Sequence, residues 1–102
     1  MLAFLKNFFG GQSPDYAVLV KNGAIIVDVR TKDEYKAGHI AGSLNIPVNE
    51  LGSHLAKLPQ SKTIITCCAS GMRSASAKAI LRSNGYENVH NGGSWSGLQR
   101  QL

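Results

Sequence analysis

Cys68, Gly71 and Arg73 are the residues whose types and spacing most directly suggest chemistry. They lie in the stretch Thr63-Ile64-Ile65-Thr66-Cys67-Cys68-Ala69-Ser70-Gly71-Met72-Arg73-Ser74. Thr63 to Thr66 are all β-branched, which favours a short packed strand. Ser74 to Arg82 is rich in good helix formers and free of Gly and Pro. A loop joining the two points several backbone N–H groups at one spot, and the helix dipole makes that spot favour an anion. A cysteine at the mouth of such a nest has its thiolate stabilised, so its pKa falls below that of a free thiol. Gly71 lets the backbone curl without a Cβ clash, and Arg73 adds a permanent positive charge. The chemistry is that of a nucleophilic sulfur ringed by the amides of Ala69, Ser70, Gly71, Met72, Arg73 and Ser74.

The elements that must hold this loop follow from pattern and punctuation. Gly10-Gly11-Gln12 breaks the chain, after which Ser13 is expected to cap a helix with Pro14 at its first position, ending at Asn22-Gly23. Ala24 to Val29 is apolar except for Asp28, the pattern of a central strand covered on both faces. Thr31 and Glu34 have capping-box spacing, so a short helix runs to about Ala37 and stops at Gly38. A brief strand near Ser43–Ile46 ends at Pro47. Asn49 is expected to cap another helix through Ala56, closed by Pro59. After the thiol loop, the helix runs to Asn84 with Gly85 as its terminal glycine. A short strand near Asn88–His90 and a helix from Ser94 complete the chain. Strands alternating with helices give an α/β fold, a mostly parallel sheet with helices on both faces. The thiol loop then sits at the C-terminal end of a strand, where open α/β sheets bind ligands.

With 102 residues, 43% of them apolar and 17% charged, the chain is expected to form one globular domain, residues 13–102, behind an apolar extension, residues 1–12. That extension, with Phe4, Phe8 and Phe9, is too short to span a bilayer and lacks the parts of a signal peptide, so no stable membrane insertion is expected. It packs on the domain or, as the sharper alternative, anchors weakly to a surface. The two cysteines are adjacent, so they cannot staple distant segments, and they lack the spacing of a zinc site. No metal or other cofactor is expected, and a reducing cytoplasm is the expected location. The net charge of +5 lies wholly in residues 57–102, where Lys57, Lys62, Arg73, Lys78, Arg82 and Arg100 face Glu87 alone. That half bears the thiol loop and would steer small anions toward it. The basic residues are scattered singly without aromatic platforms, which argues against nucleic acid.

Cys68-Ala69-Ser70-Gly71-Met72-Arg73 resembles the Cys-x-x-Gly-x-Arg loop of the rhodanese (sulfurtransferase) family. Upstream, Asp28-Val29-Arg30, Glu34-Tyr35, Gly38-His39-Ile40-Ala41-Gly42-Ser43 and Asn45-Ile46-Pro47 resemble the family's first signature. Downstream, Gly85-Tyr86-Glu87-Asn88-Val89 and Gly92-Gly93 with Trp95 resemble its C-terminal pattern. The resemblance spans about residues 13–102 in order, far more than a single motif. It implies a rhodanese-like fold and a double displacement. The Cys68 thiolate would take the outer sulfur of a small anionic or persulfide donor such as thiosulfate. The resulting persulfide would then pass that sulfur to cyanide, a thiol or a sulfur-accepting protein. The loop amides would hold the persulfide, with Arg73 either adding its charge or bracing the loop through a carboxylate. In many members the position of Ala69 is basic, so its neutrality here favours a neutral or larger persulfide donor.

Which cysteine acts has two answers at the level of spacing. Counted from Cys67, Arg73 falls at the Cys-x5-Arg spacing of Cys-dependent phosphatases and arsenate reductases. Counted from Cys68 it falls at the rhodanese spacing. Gly71, and Thr66 where the phosphatases have His, favour Cys68, leaving Cys67 as the last core residue of the strand. A vicinal disulfide is strained and disfavoured. A third class is a non-enzymatic sulfur carrier or docking module. The resemblance implies that Asp28 and Arg30 form a buried ion-paired network supporting the loop; His39 is open to two roles, a general base or, the favoured one in this motif, a local brace before Gly42. Trp95 either lines the pocket mouth or belongs to the core. His54 and His90 read as surface or strand-end residues, and Glu34 as a cap.

Overall fold

A computed structural model describes residues 14–102; the expectations for residues 1–12 and for Ser13 lie outside the described residues. Four parallel strands, β1 (Ile25–Asp28), β2 (Leu44–Asn45), β3 (Ile64–Cys68) and β4 (Val89–Ser94), form one sheet in the order β2-β1-β3-β4. The helices are α1 (Tyr16–Lys21), α2 (Lys32–Ala37), α3 (Met72–Ser83) and α4 (Trp95–Gln99), with two 3-10 segments at Val48–Ser53 and Leu55–Lys57. The expected α/β architecture is the one observed.

The sheet alternation splits the core in two. Val27, Ile64 and Cys68 pack with Leu51, Leu58, Ala77 and Leu81, contributed by the 3-10 side and α3. Ile26, Ile65 and Cys67 pack on the other side with Tyr16 of α1 and Leu98 of α4. Neighbouring strand residues point to opposite faces, so the two adjacent cysteines enter different cores. Both are free thiols.

Local chemistry corrects three boundaries. The first helix starts at Tyr16 behind Asp15, whose carboxylate accepts the Val18 N–H at 3.2 Å. Pro14 therefore precedes the cap instead of opening the helix, because the extended Asp15 and its carboxylate take the capping role. Asn49 caps nothing: it lies inside the first 3-10 segment, which opens behind Pro47 without a side-chain cap. Gly52 falls in that segment, and a Gly lowers helix propensity enough to favour two tight turns over one α-helix. The last strand, expected near Asn88–His90, runs on to Ser94, four residues past His90, because a bulge accommodates Gly92 and Gly93. Thr66 pairs with Asn91 and Cys68 with Ser94, so β4 carries one residue more than β3 over this interval. Gly92 permits it: an added Cβ would lie 2.9 Å from the Thr66 carbonyl oxygen and 2.9 Å from Ile65 Cγ2.

Candidate active site

The thiol loop joins β3 to α3 at the C-terminal end of the sheet. Gly71 caps α3 with φ +100°, a left-handed conformation that a side chain resists. Its backbone sits against the β4 bulge, where an added Cβ would come 3.4 Å from Gly93 Cα. The Gly71 N–H donates to Cys68 Sγ at 2.9 Å and the Ser74 N–H at 3.4 Å, with the Ser74 hydroxyl 3.6 Å away. Ala69, Ser70 and Met72 are exposed, whereas Cys68 has no exposed surface. The sulfur thus occupies the floor of the nest, not its mouth, because Cys68 continues β3 by one residue beyond the expected strand.

The two thiols are driven in opposite directions. Burial is the largest influence on Cys68 and opposes ionisation, but the N–H and hydroxyl of Ser74 and the N–H groups of Gly71 and Ser70 together bring its pKa below the ordinary value. Burial pushes Cys67 up to about 12, and the carboxylate of Asp28 pushes the same way. Cys67 has the surroundings of an inert core thiol.

Arg73 does not point its charge at the sulfur as a free cation. It forms a two-pronged ion pair with Glu34 of α2, Nη1 to Oε1 at 2.6 Å and Nη2 to Oε2 at 3.0 Å. Of the two roles open to it, bracing the loop through a carboxylate is the one observed. Glu34 also accepts the Thr31 N–H at 3.0 Å, closing the expected capping box. The hydrogen bond from Arg73, aided by that of Thr31, holds the Glu34 carboxyl down at about 2.

Asp28 and Arg30 form a buried pair beneath this clamp. Arg30 Nε and Nη2 donate to the Asp28 carboxylate at 2.9 and 2.7 Å, and Nη2 also donates to the Gly38 carbonyl at 2.7 Å. The Asp28 hydrogen bond raises the Arg30 pKa, against burial. Arg30 thereby fixes the end of α2, and α2 carries Glu34 to Arg73. His39 stacks on Tyr35 with ring centroids 3.7 Å apart, and its Nδ1 donates to the Tyr35 carbonyl at 2.7 Å. That is a local brace in the turn after α2. Trp95 packs against Gly38, under the Arg30 guanidinium at 4.8 Å, and against the core that holds Cys67. Its place is with that core, on the face opposite Cys68. His54 Nδ1 faces the Glu50 carbonyl at 2.8 Å. His90 lies half-buried on β4, where burial, then Lys78 and Arg82, lower its pKa.

Two residues of the site carried no signal of such a role in the sequence. Glu34 was fully explained by its local cap, so nothing pointed across 39 residues to Arg73. Asn91 stands opposite Thr66, the last regular pair before the β4 bulge, and reaches across to the loop: its Nδ2 donates to the Gly71 carbonyl at 3.2 Å, and its Oδ1 accepts from Ser74 Oγ and from the Gly93 N–H. A separate groove lined by Lys32, Asn45, Glu50, His54 and Lys57 includes none of the loop residues and no nucleophile. Among the described residues no three His, Cys, Asp or Glu side chains gather in a metal-binding group, and no helix is long and apolar enough to cross a membrane.

Comparisons with known proteins agree with this geometry. Residues 14–101 match the rhodanese-like domain family. The thiosulfate sulfurtransferase PspE of Escherichia coli is 36% identical over 69 residues, covering 66% of each chain. The tRNA uridine(34) hydroxylase of Buchnera aphidicola is 33% identical over 79 residues, covering 72% of this chain but only 25% of that protein. The chain thus spans a quarter to two thirds of these relatives. A rhodanese from E. coli solved with anions superposes with a TM-score of 0.70 at 31% identity, over 74% of this chain and 91% of that one. A β3–loop–α3 unit with its sulfur among backbone amides, together with a match over nearly the whole chain, places this protein in the rhodanese-like domain family.

Proposed function

We propose that the chain is a sulfurtransferase that carries a sulfane sulfur on Cys68. The observation that carries this reading is the Cys68 sulfur held by the Gly71 and Ser74 N–H groups, its pKa lowered despite burial. The thiolate attacks the outer sulfur of the donor. The donor's S–S bond breaks, sulfite or a thiolate leaves with the bonding electron pair, and Cys68 becomes a persulfide. A nucleophilic acceptor then bonds the outer sulfur, and the electron pair returns to Cys68. The loop amides are fixed before the charge moves, so they stabilise it without reorganising.

Within residues 69–74 the only charged side chain is Arg73, and Glu34 neutralises it. That supports a persulfide donor over thiosulfate, whose dianion gains no free cation there. A thiol or a sulfur-accepting protein is the natural acceptor, and the reducing cytoplasm is the compartment in which such a thiolate persists. A phosphatase or arsenate reductase built on Cys67 is disfavoured, since that thiol is buried in the opposite core with its pKa near 12. The test is steady-state turnover with cyanide as acceptor, comparing thiosulfate with glutathione persulfide. We expect transfer from both, with kcat/KM about tenfold or more higher for the persulfide, a difference of about 1.4 kcal/mol. Transfer from neither donor would overturn the reading.

A further inference from the structure

The geometry points to Asn91 as a positioning residue that controls the proton of the Ser74 hydroxyl, and through it the charge state of Cys68. This rests on Cys68 being the reacting thiol. The amide of Asn91 has only one orientation. Its Nδ2 faces the Gly71 carbonyl, which can only accept, and its Oδ1 faces the Gly93 N–H, which can only donate. Oδ1 is therefore the atom that faces Ser74 Oγ, 2.5 Å away, and toward it that hydroxyl can only donate. Ser74 has no exposed surface and its hydroxyl has one proton. Three acceptors surround that proton: Asn91 Oδ1, the Gly71 carbonyl at 3.0 Å and Cys68 Sγ at 3.6 Å. The Gly71 carbonyl already receives Asn91 Nδ2 and the Ala75 N–H.

The hydroxyl is thus a donor with two positions. When Cys68 is a thiol, its S–H is given to Ser74 Oγ and the hydroxyl proton rests on Asn91. When Cys68 is a thiolate, rotation about one bond turns the proton to the sulfur, and Asn91 Oδ1 keeps the Gly93 N–H. When the sulfur becomes the neutral inner atom of a persulfide, the proton returns to Asn91. A buried hydroxyl left without an acceptor destabilises that state. Asn91 spares the neutral-sulfur states this cost and competes with the thiolate for the proton. The charged groups that act on the two cysteines are Arg73 on α3 and Asp28 and Arg30 on the β1 side; His90, next to Asn91 on β4, faces Lys78 and Arg82 of α3.

The experiment is the pH dependence of Cys68 alkylation by iodoacetamide, located by fragment ions, in the wild type, Ser74→Ala, Asn91→Ala and the double variant. Ser74→Ala should raise the Cys68 pKa by about one unit. Asn91→Ala should lower it by up to about one unit, because the hydroxyl loses its competing acceptor, and should have no effect in the Ser74→Ala background. A rise in Asn91→Ala, or the same shift with and without Ser74, would mean Asn91 merely holds the loop and would overturn the proposal. If Asn91→Ala does not fold, Asn91→Ser supplies a shorter hydroxyl that cannot reach both partners, and the same cycle is read with it. Alkylation reads the thiol whether or not sulfur is transferred, so weighing the sulfur adduct on the same samples separates failure of this device from failure of the sulfurtransferase reading.

Discussion

At the scale of single residues, the site depends on one alternation. Cys67 and Cys68 are chemically identical and one peptide apart, yet the strand sends one sulfur into the Tyr16–Leu98 core and the other beneath the loop amides. The loop was legible in the sequence because its markers are local: a β-branched run, a glycine at the required spacing, and a helix without breakers. The depth of the sulfur was not, since it depends on where β3 ends. The pKa directions give a direct test. Because the Cys68 pKa is depressed, its thiolate forms at a lower pH than in a free thiol, and alkylation should climb through that lower midpoint. Cys67, pushed up to about 12, should stay unmodified in the folded protein across the whole neutral range. Equal labelling of the two thiols near neutral pH would contradict both assignments.

At the scale of elements, the loop is held by a chain of contacts: Asp28 to Arg30, Arg30 to the end of α2, Glu34 of α2 to Arg73 of α3. Sequence reasoning found the first pair and the capping box but not the link between them, because a capping Glu leaves no residual signal for a distant partner. Glu34→Gln preserves the capping geometry and removes the ion pair. Both side chains are about a third exposed and their pairing is screened by solvent, so the change should leave stability almost unaltered. Loosening the loop should nevertheless cost about tenfold in the rate of sulfur transfer, read as kcat against KM. The sign of the pH effect follows from the depressed Glu34 pKa. Its stabilisation is present above the ordinary carboxylate value and disappears as pH falls toward about 2. The β4 bulge makes a separate prediction. A methyl group at Gly92 meets the Thr66 carbonyl and Ile65, so Gly92→Ala should destabilise the fold by about 1–3 kcal/mol in urea titration. An unchanged midpoint would show that β4 can shift freely at the bulge.

At the scale of the molecule, a small parallel sheet covered on both faces places its reactive loop where β3 meets the N-terminus of α3. Element order was readable because β1 and β3 are short runs of apolar and β-branched residues and because α2 and α4 open on capping side chains, Thr31 and Ser94. The 3-10 segments were not, because Asn49 reads as a cap until Gly52 and Pro47 are seen to enforce tighter turns. Positive charge gathers in the half of the chain that carries the thiol, yet the loop itself is neutralised by Glu34. The basic half therefore sets the long-range field, while at the loop negative charge meets backbone N–H groups and no free cation. Sulfur transfer through Cys68 is tested most directly by the intact mass of the wild type, Cys67→Ser and Cys68→Ser after exposure to glutathione persulfide and removal of excess donor. One added sulfur atom is expected on the wild type and Cys67→Ser, none on Cys68→Ser, with loss of the added mass on treatment with cyanide. An adduct that persists in Cys68→Ser and vanishes in Cys67→Ser would contradict it.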